Sequence, residues 1–254
     1  MTYHVVTTCH AQGWKIYGRR MVRSHQAFWP KEVKLTLYAE GFEPDLACDM
    51  RKLPSWVDEF KARHAKNTRA CGYVDHKPYN MLFDAVRFCH KVGAVIDAAQ
   101  SIETDTLIWV DADVVTHAPV TMEFLDGLWG DTEDPGIAWL NRVHKYPECG
   151  FVMYYLGHER MKLLMTVWRM LYVSDHVFKM VHWTDCHTLE ASVLRTEMPT
   201  VSLSGNFTNV GHPFINGPLG AVMDHMKGER KFAGRSRRGD LRTARQEPYW
   251  KGVR

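Results

Sequence analysis

The sequence lacks the features that mark membrane-spanning, secreted and zinc-ribbon proteins. The longest strongly apolar run, "MKLLMTVWRMLYV", is too short for a bilayer span and carries Lys162 and Arg169. The N-terminal segment, "MTYHVVTTCHAQGWK", has no apolar core of the length found in signal peptides. The six cysteines form no CxxC pair, which excludes zinc-ribbon and thioredoxin-type motifs. We therefore expect a cytoplasmic protein whose thiols are reduced.

Internal repeats and low-complexity linkers are absent as well. The chain has 254 residues, of which 45% are hydrophobic and 24% charged. That composition is typical of a globular protein rather than a disordered one, and the length suits one or two domains and allows a single α/β unit with a sizeable core.

Apolar patterning predicts alternating strands and helices. Strands are predicted over 4–8, 33–40, 106–115, 136–141, 150–156 and 200–204. Helices are predicted over 16–28, 55–64, 80–100, 159–173 and 188–195. The alternation in the first half predicts a doubly wound α/β sheet, and the second half is more mixed.

Two carboxylates interrupt the apolar segment "LIWVDADVV". Asp111 and Asp113 stand where a buried strand ends, and ligands bind beyond the carboxyl ends of strands in such sheets. Burying an unpaired carboxylate is costly. Two carboxylates in a D-x-D spacing can share one Mg²⁺ or Mn²⁺ whose remaining positions are filled by diphosphate oxygens. A capping or turn pair remains the alternative interpretation.

A second motif lies near the C-terminus, in "HMKGERK". His225, Gly228 and Lys231 form H-x-x-G-x-x-K. The imidazole could complete a metal site, Gly228 would let the backbone approach a phosphate, and Lys231 would supply a charge for a diphosphate.

Four segments, taken in order, resemble the metal-dependent GT-A glycosyltransferases, and in particular their glycogenin-like branch. They are "RFCHKVGAVIDAAQSIETDTLIWVDADVV", "ECGFVMYYL", "WTDCHTLE" and "HMKGERK". The resemblance implies a GT-A-like, Rossmann-type nucleotide-sugar-binding fold with a mixed central sheet over residues 1–234. It also implies a nucleoside diphosphate sugar as donor, with a UDP-sugar favoured, and Mn²⁺ or Mg²⁺ as cofactor.

The resemblance implies roles for individual residues on the donor side. Asp111, Asp113 and His225 would bind the metal, and Lys231 and the Gly228 backbone would contact the diphosphate. Arg87 or Lys91 would contact the donor sugar or a phosphate. Thr7 and Thr8 would lie near the nucleotide base and ribose.

On the acceptor side, the resemblance implies that Asp185 binds donor-sugar hydroxyls, with Glu148, Cys149 and Gly150 near the sugar or acceptor. Glu148 replaces the asparagine of the usual Asn-Ser-Gly-like turn, and Cys186 replaces the glutamine that usually follows the aspartate. An inverting enzyme would need Glu148 or Asp185 as its base. The H-x-x-G-x-x-K resemblance favours retention, with the leaving diphosphate taking the proton.

The C-terminal segment is strongly basic. From residue 227 onward the chain has ten Lys or Arg and three acidic residues, a local charge of +7. We predict an extended basic arm over 235–254 that binds an anionic partner; a solvated, flexible terminus is the alternative. Arginines bind phosphates, and Tyr249 and Trp250 could stack on bases.

A basic arm beside a sugar-transfer site suggests a nucleic-acid acceptor. The chain resembles virus-encoded enzymes that glycosylate hydroxymethylated pyrimidines in DNA, which would place it in the cytoplasm of a host cell. A protein or saccharide acceptor, a metal-dependent nucleotidyltransferase and a non-enzymatic nucleic-acid-binding module remain the alternatives.

Overall fold

The computed structural model describes residues 1–74 and 77–251. Its strands are β1 (Tyr3–His10), β2 (Lys34–Glu40), β3 (Asp49–Arg51), β4 (Thr106–Val110), β5 (Val114–Thr116), β6 (Ile137–Arg142), β7 (Lys145–Tyr155), β8 (Thr200–Ser202) and β9 (Met223–His225). Its α-helices are α1 (Ala11–Gly13), α2 (Arg19–Phe28), α3 (Ser55–His64), α4 (Ala85–Ser101), α5 (Met122–Gly127), α6 (Met161–Val173), α7 (Asp185–Thr196), α8 (Pro213–Asn216) and α9 (Arg230–Ala233).

Shorter helical turns connect these elements. A π-helical turn, Trp14–Gly18, joins α1 to α2. The 3₁₀ turns are Thr68–Cys71, Met81–Phe83, His176–Lys179, Pro218–Ala221, Arg238–Asp240 and Pro248–Trp250.

Seven strands form one mixed sheet in the order β3-β2-β1-β4-β7-β6-β8. β1 is parallel to β2 and β4, whereas β7 is antiparallel to both β4 and β6. The prediction of an α/β fold with a mixed central sheet is therefore confirmed. β5 and β9 form a separate antiparallel pair.

The core lies on both faces of the sheet, and β4 runs through its centre. Every residue of β4 is buried. Ile108 and Val110 join the apolar cluster on one face, and Leu107 and Trp109 join the cluster on the other. A strand buried on both faces has a continuous apolar sequence, which explains why the carboxylates that follow it stand out.

Helix boundaries differ from the predicted ones where a cap decides them. α4 begins at Ala85 rather than at residue 80 because the Asp84 side chain accepts a hydrogen bond from the Arg87 N–H. α7 includes the predicted residues 188–195 and begins at Asp185 because Thr184 caps it. The second cap places Asp185 in the first turn of a helix.

The segment after Gly234 is not extended, which corrects the prediction. The N–H and hydroxyl of Ser236 and the hydroxyl of Tyr249 donate to the buried carboxylate of Asp224, over 2.6–2.8 Å. Trp250 is 4% exposed, and its indole N–H donates to the Gly220 carbonyl at 2.7 Å. The segment packs because it supplies the donors that a buried carboxylate needs. The division into a catalytic domain (1–234) and a basic arm (235–254) stays a prediction.

Within residues 1–74 and 77–251, no helix combines the length and the apolar character that crossing a bilayer requires.

Candidate active site

The site forms where β4 ends, and a strand pair brings the two sequence motifs together there. The Asp111 N–H donates to the Gly150 carbonyl on β7 at 2.9 Å. β5 then pairs with β9 so that Val114 lies opposite His225. The Met226 N–H also donates to the Asp113 carbonyl at 3.1 Å. The H-x-x-G-x-x-K segment therefore starts beside the D-x-D segment.

The three predicted metal ligands lie together. Nε2 of His225 is 3.2 Å from an Asp113 oxygen and 3.6 Å from an Asp111 oxygen. One ligand atom from each residue lies within 4.8 Å of the other two. Two carboxylates and an imidazole suit Mn²⁺, and a site rich in oxygen suits Mg²⁺. The residues present fit the predicted cation.

Charged neighbours shift the pKa values of Asp113 and His225. Burial alone would raise the pKa of Asp113, but the facing His225 and Lys231 outweigh it and hold that pKa well below its usual range. Lys231 Nζ lies 2.8 Å from Asp113. Burial opposes a charge on His225, yet Asp113 and Glu148 raise its pKa to about 9.

Lys91 connects the metal side of the site to Asp185. Its buried ammonium donates to the Cys149 carbonyl at 2.5 Å and lies 2.6 Å from Asp185 and 3.3 Å from Asp111. Burial would lower the pKa of Lys91, but the two carboxylates raise it well above its ordinary value. Lys91 thereby links Asp185, at the start of α7, to Asp111.

A cleft of about 150 Å³ opens beside these residues. Seven residues predicted for the site line it: Thr8, Arg87, Lys91, Asp111, Asp113, Asp185 and Lys231. Thr7 is instead buried at 1% exposure, and its neighbour Thr8 faces the cleft. Gly228 lies in a left-handed turn (φ +58°) with open space where a Cβ would stand.

Sequence reasoning missed eight residues of the cleft wall, and among them are the polar side chains of His10, Tyr17, Glu40 and His90. Glu40 ends β2, and its carboxylate accepts from Thr8 at 2.9 Å and lies 2.5 Å from His90 Nδ1. β2 is parallel to β1, so the end of β2 was the signal that could have found it. Tyr17 lies on the π-helical turn, with Lys231 Nζ 5.0 Å from its ring centroid. π-Helical turns often occur at functional sites.

Glu148 lies behind His225, away from the residues that line the cleft. One carboxylate oxygen is 3.1 Å from Nδ1 of His225, and the other is 2.6 Å from Nζ of Lys227. Burial would raise the pKa of Glu148, but Lys227 and His225 hold it well below its usual range. Both oxygens are therefore engaged by cationic partners on the side opposite Asp113.

Cys149, Asp185 and Cys186 form a second group with the spacing of a metal site. Lys91 already neutralises Asp185 at 2.6 Å. Burial, and then the neighbouring Cys186, raise the pKa of the Cys149 thiol well above its ordinary value. Because a thiol must be deprotonated to bind a metal, this group suits a cation less well than the first.

Comparisons with known proteins add a backbone likeness. No family model and no curated protein matches the sequence. The structure is similar to the crystal structure of mouse xyloside xylosyltransferase 1 in its apo form, with 10% sequence identity and a TM-score of 0.48. The match covers 79% of this chain and 84% of the other. A likeness this distant assigns no activity.

Proposed function

We propose that this protein is a metal-dependent glycosyltransferase that moves a sugar from a nucleoside diphosphate sugar, with UDP favoured, to an acceptor hydroxyl. The observation that carries the proposal is the convergence of Asp111, Asp113 and His225 beside Lys231 at one end of a cleft. Departure of a diphosphate requires positive charge at that point.

The donor side follows from this convergence. Asp111, Asp113 and His225 would hold Mn²⁺ or Mg²⁺, which when bound supplies Lewis-acid stabilisation of the diphosphate charge. The Lys231 ammonium, 2.8 Å from Asp113, already lies next to that position. The open left-handed turn at Gly228 leaves room for a phosphate near the backbone.

The sugar side centres on Asp185. Lys91 Nζ lies 2.6 Å from one oxygen of this buried carboxylate, and the carboxylate oxygens can accept hydrogen bonds from sugar hydroxyls. Arg87, exposed at the cleft wall, would contact a phosphate or the sugar.

The cleft carboxylates favour a retaining reaction. Among the described residues that line the cleft, each acid already has a cationic or imidazole partner: Glu40, Asp111, Asp113 and Asp185. Glu148, the other candidate base, is engaged behind His225. We therefore propose that the leaving diphosphate accepts the acceptor proton.

For the acceptor, we propose a hydroxymethylated pyrimidine in DNA. The support is a set of exposed basic side chains on the packed C-terminal segment, namely Arg237, Arg238, Arg242 and Lys251. The same segment uses Arg235 and Arg245 internally, on backbone carbonyls and on Glu247. The exposed charge is therefore smaller than the composition alone indicates.

The first experiment measures nucleoside diphosphate release from a panel of nucleotide sugars, with Mn²⁺, Mg²⁺ or EDTA. Metal-dependent release that Asp113→Asn abolishes and Glu247→Gln preserves would support the transferase. Pyrophosphate as the product would instead indicate nucleotidyl transfer, and no release from any donor would contradict the proposal. The anomeric configuration of the product, read by NMR, tests retention.

The acceptor is tested by adding hydroxymethylated or unmodified DNA to the same assay. We expect release to rise only with the hydroxymethylated DNA. Replacing Arg237, Arg238 and Arg242 together by Gln should weaken transfer to DNA and reduce its salt dependence, while donor hydrolysis stays unchanged. Nucleoside diphosphate release that does not change when DNA is added would favour a protein or saccharide acceptor.

A further inference from the structure

We propose that Glu148 is a positioning residue of the metal site: its carboxylate holds the His225 ring so that Nε2 faces Asp111 and Asp113. This inference rests on the proposed function, since it concerns the same metal. It replaces the role of acceptor-side base that the sequence suggested for Glu148.

The two ring nitrogens of His225 face different carboxylates. Nδ1 lies 3.1 Å from a Glu148 oxygen, whereas Nε2 lies 3.2 Å from Asp113 and 3.6 Å from Asp111. The imidazole is thus a bridge between Glu148 and the two aspartates. The His225 side chain is 5% exposed, so water has little access to either nitrogen.

The role of Glu148 follows from which nitrogen of the His225 imidazole donates a hydrogen bond and which offers a lone pair. A ring nitrogen that binds a metal offers its lone pair, so the remaining proton must stand on the other nitrogen. An ionised Glu148 can only accept, and Nδ1 is the nitrogen that it faces. When a metal displaces the proton from Nε2, Glu148 therefore keeps the remaining proton on Nδ1, so that the Nε2 lone pair faces the side of Asp111 and Asp113. Carboxylates behind metal-binding histidines have this effect in many proteins.

The surroundings keep Glu148 and the ring in place. Lys227 Nζ, 2.6 Å from the second Glu148 oxygen, fixes the carboxylate. Nε2–H of His212 donates to the His225 carbonyl at 2.9 Å. Gly150, two residues along β7 from Glu148, makes room for the ring: an added Cβ would lie 2.5 Å from Cε1 and 2.6 Å from Nδ1 of His225. β7 thus forms one wall of a slot that orients the imidazole.

The test is a Mn²⁺ titration followed by electron paramagnetic resonance, without donor or acceptor. We expect Glu148→Ala to raise the Kd for Mn²⁺ by about 10–100-fold. Glu148→Gln should raise it less, because the amide oxygen still accepts from Nδ1–H. Glu247→Gln is the control, since it removes a charge from an ion pair of the C-terminal segment, and should leave the Kd unchanged. Circular dichroism and thermal melts report whether each variant folds.

A second readout distinguishes positioning from general structural support. With ¹⁵N-labelled histidine and Mg²⁺, the native protein and Glu148→Gln should show a proton on Nδ1 of His225, and Glu148→Ala a mixture of tautomers. A native Kd for Mn²⁺ in both folded variants would overturn the inference. If Glu148→Ala does not fold, a native Kd for Mn²⁺ in Glu148→Gln would overturn it. Loss of Mn²⁺ binding in Asp113→Asn but not in the Glu148 variants would overturn this inference alone. A native protein that binds no Mn²⁺ would overturn it together with the proposed metal dependence.

Discussion

The charges of the cleft and those of the C-terminal segment (residues 235–251) are bonded in different ways. In the segment, charges pair singly: Arg245 with Glu247, and Asp240 with Arg230 of α9. In the cleft and directly behind it, one cation serves several carboxylates. His225 faces three of them, and Lys91 faces two.

Single pairing is typical of a charged surface, whereas a cation shared by several buried carboxylates is typical of a binding site. A one-to-one pair at a partly exposed position is neutral by itself and needs no further ligand. Buried carboxylates that share a cation keep unused oxygen lone pairs, which attract a further cation or donor. The basic composition of the C-terminus therefore marked a region whose acidic groups are each paired and whose surplus arginines are exposed, whereas the acidic triplet marked the region where several carboxylates share one cation.

The largest effect is expected where the shared charges are broken. Asp113→Asn removes a ligand charge while keeping the side-chain size, and we expect kcat for donor hydrolysis to fall by about 10³-fold, since metal stabilisation supplies several kcal/mol. Glu247→Gln, which breaks a one-to-one pair, should leave kcat within about twofold, because neither Glu247 nor Arg245 lines the cleft. Steady-state kinetics with saturating Mn²⁺ compare the two, and similar losses would remove the distinction between the regions.

A large effect on stability, without an effect on chemistry, is expected in the C-terminal segment. Trp250→Ala should lower the free energy of unfolding by about 3 kcal/mol, because it leaves a cavity and an unsatisfied Gly220 carbonyl. Urea unfolding measures this, with the exposed Phe232→Ala as control. The kcat of folded Trp250→Ala should match the native value; a loss would mean that the segment takes part in the site.

A smaller effect is expected at the slot behind His225. Gly150→Ala should weaken Mn²⁺ binding by about tenfold, because the new methyl group displaces the His225 ring and metal sites tolerate little misorientation. Gly127→Ala is the matched control, since nothing lies within 4 Å of its added Cβ. Equal Kd values for the two variants would show that ring placement does not limit metal binding.

The smallest effect is expected on the surface of the C-terminal segment. Arg238→Gln removes an exposed arginine, so the free energy of unfolding should change by less than about 0.5 kcal/mol. Urea unfolding and donor hydrolysis should both resemble the native protein. A drop of 2 kcal/mol or more, on the order of a core substitution, would mean that this residue is structural like Arg245.

The sequence predicted most of the helices and strands but only part of the cleft wall. α3 (Ser55–His64) was predicted to the residue, because helix periodicity and its polar borders are local signals. Tyr17 carries no signal in the sequence, and Glu40 carries only its position at the end of β2. Both residues reach the cleft because of how neighbouring elements pack. Glu148 was predicted as part of the site, but which side of His225 it occupies depends on how β7 and β9 approach each other.

The sequence by itself determined the elements and the position of Asp111 and Asp113, because the apolar run of β4 and the break that follows it are contiguous in the chain. Only the tertiary structure decided which charges meet. His225 joins the aspartates through the pairing of β5 with β9, and the C-terminal segment folds onto the buried Asp224. An electrostatic interaction depends on distance and burial, and neither quantity can be obtained from composition or from spacing along the chain.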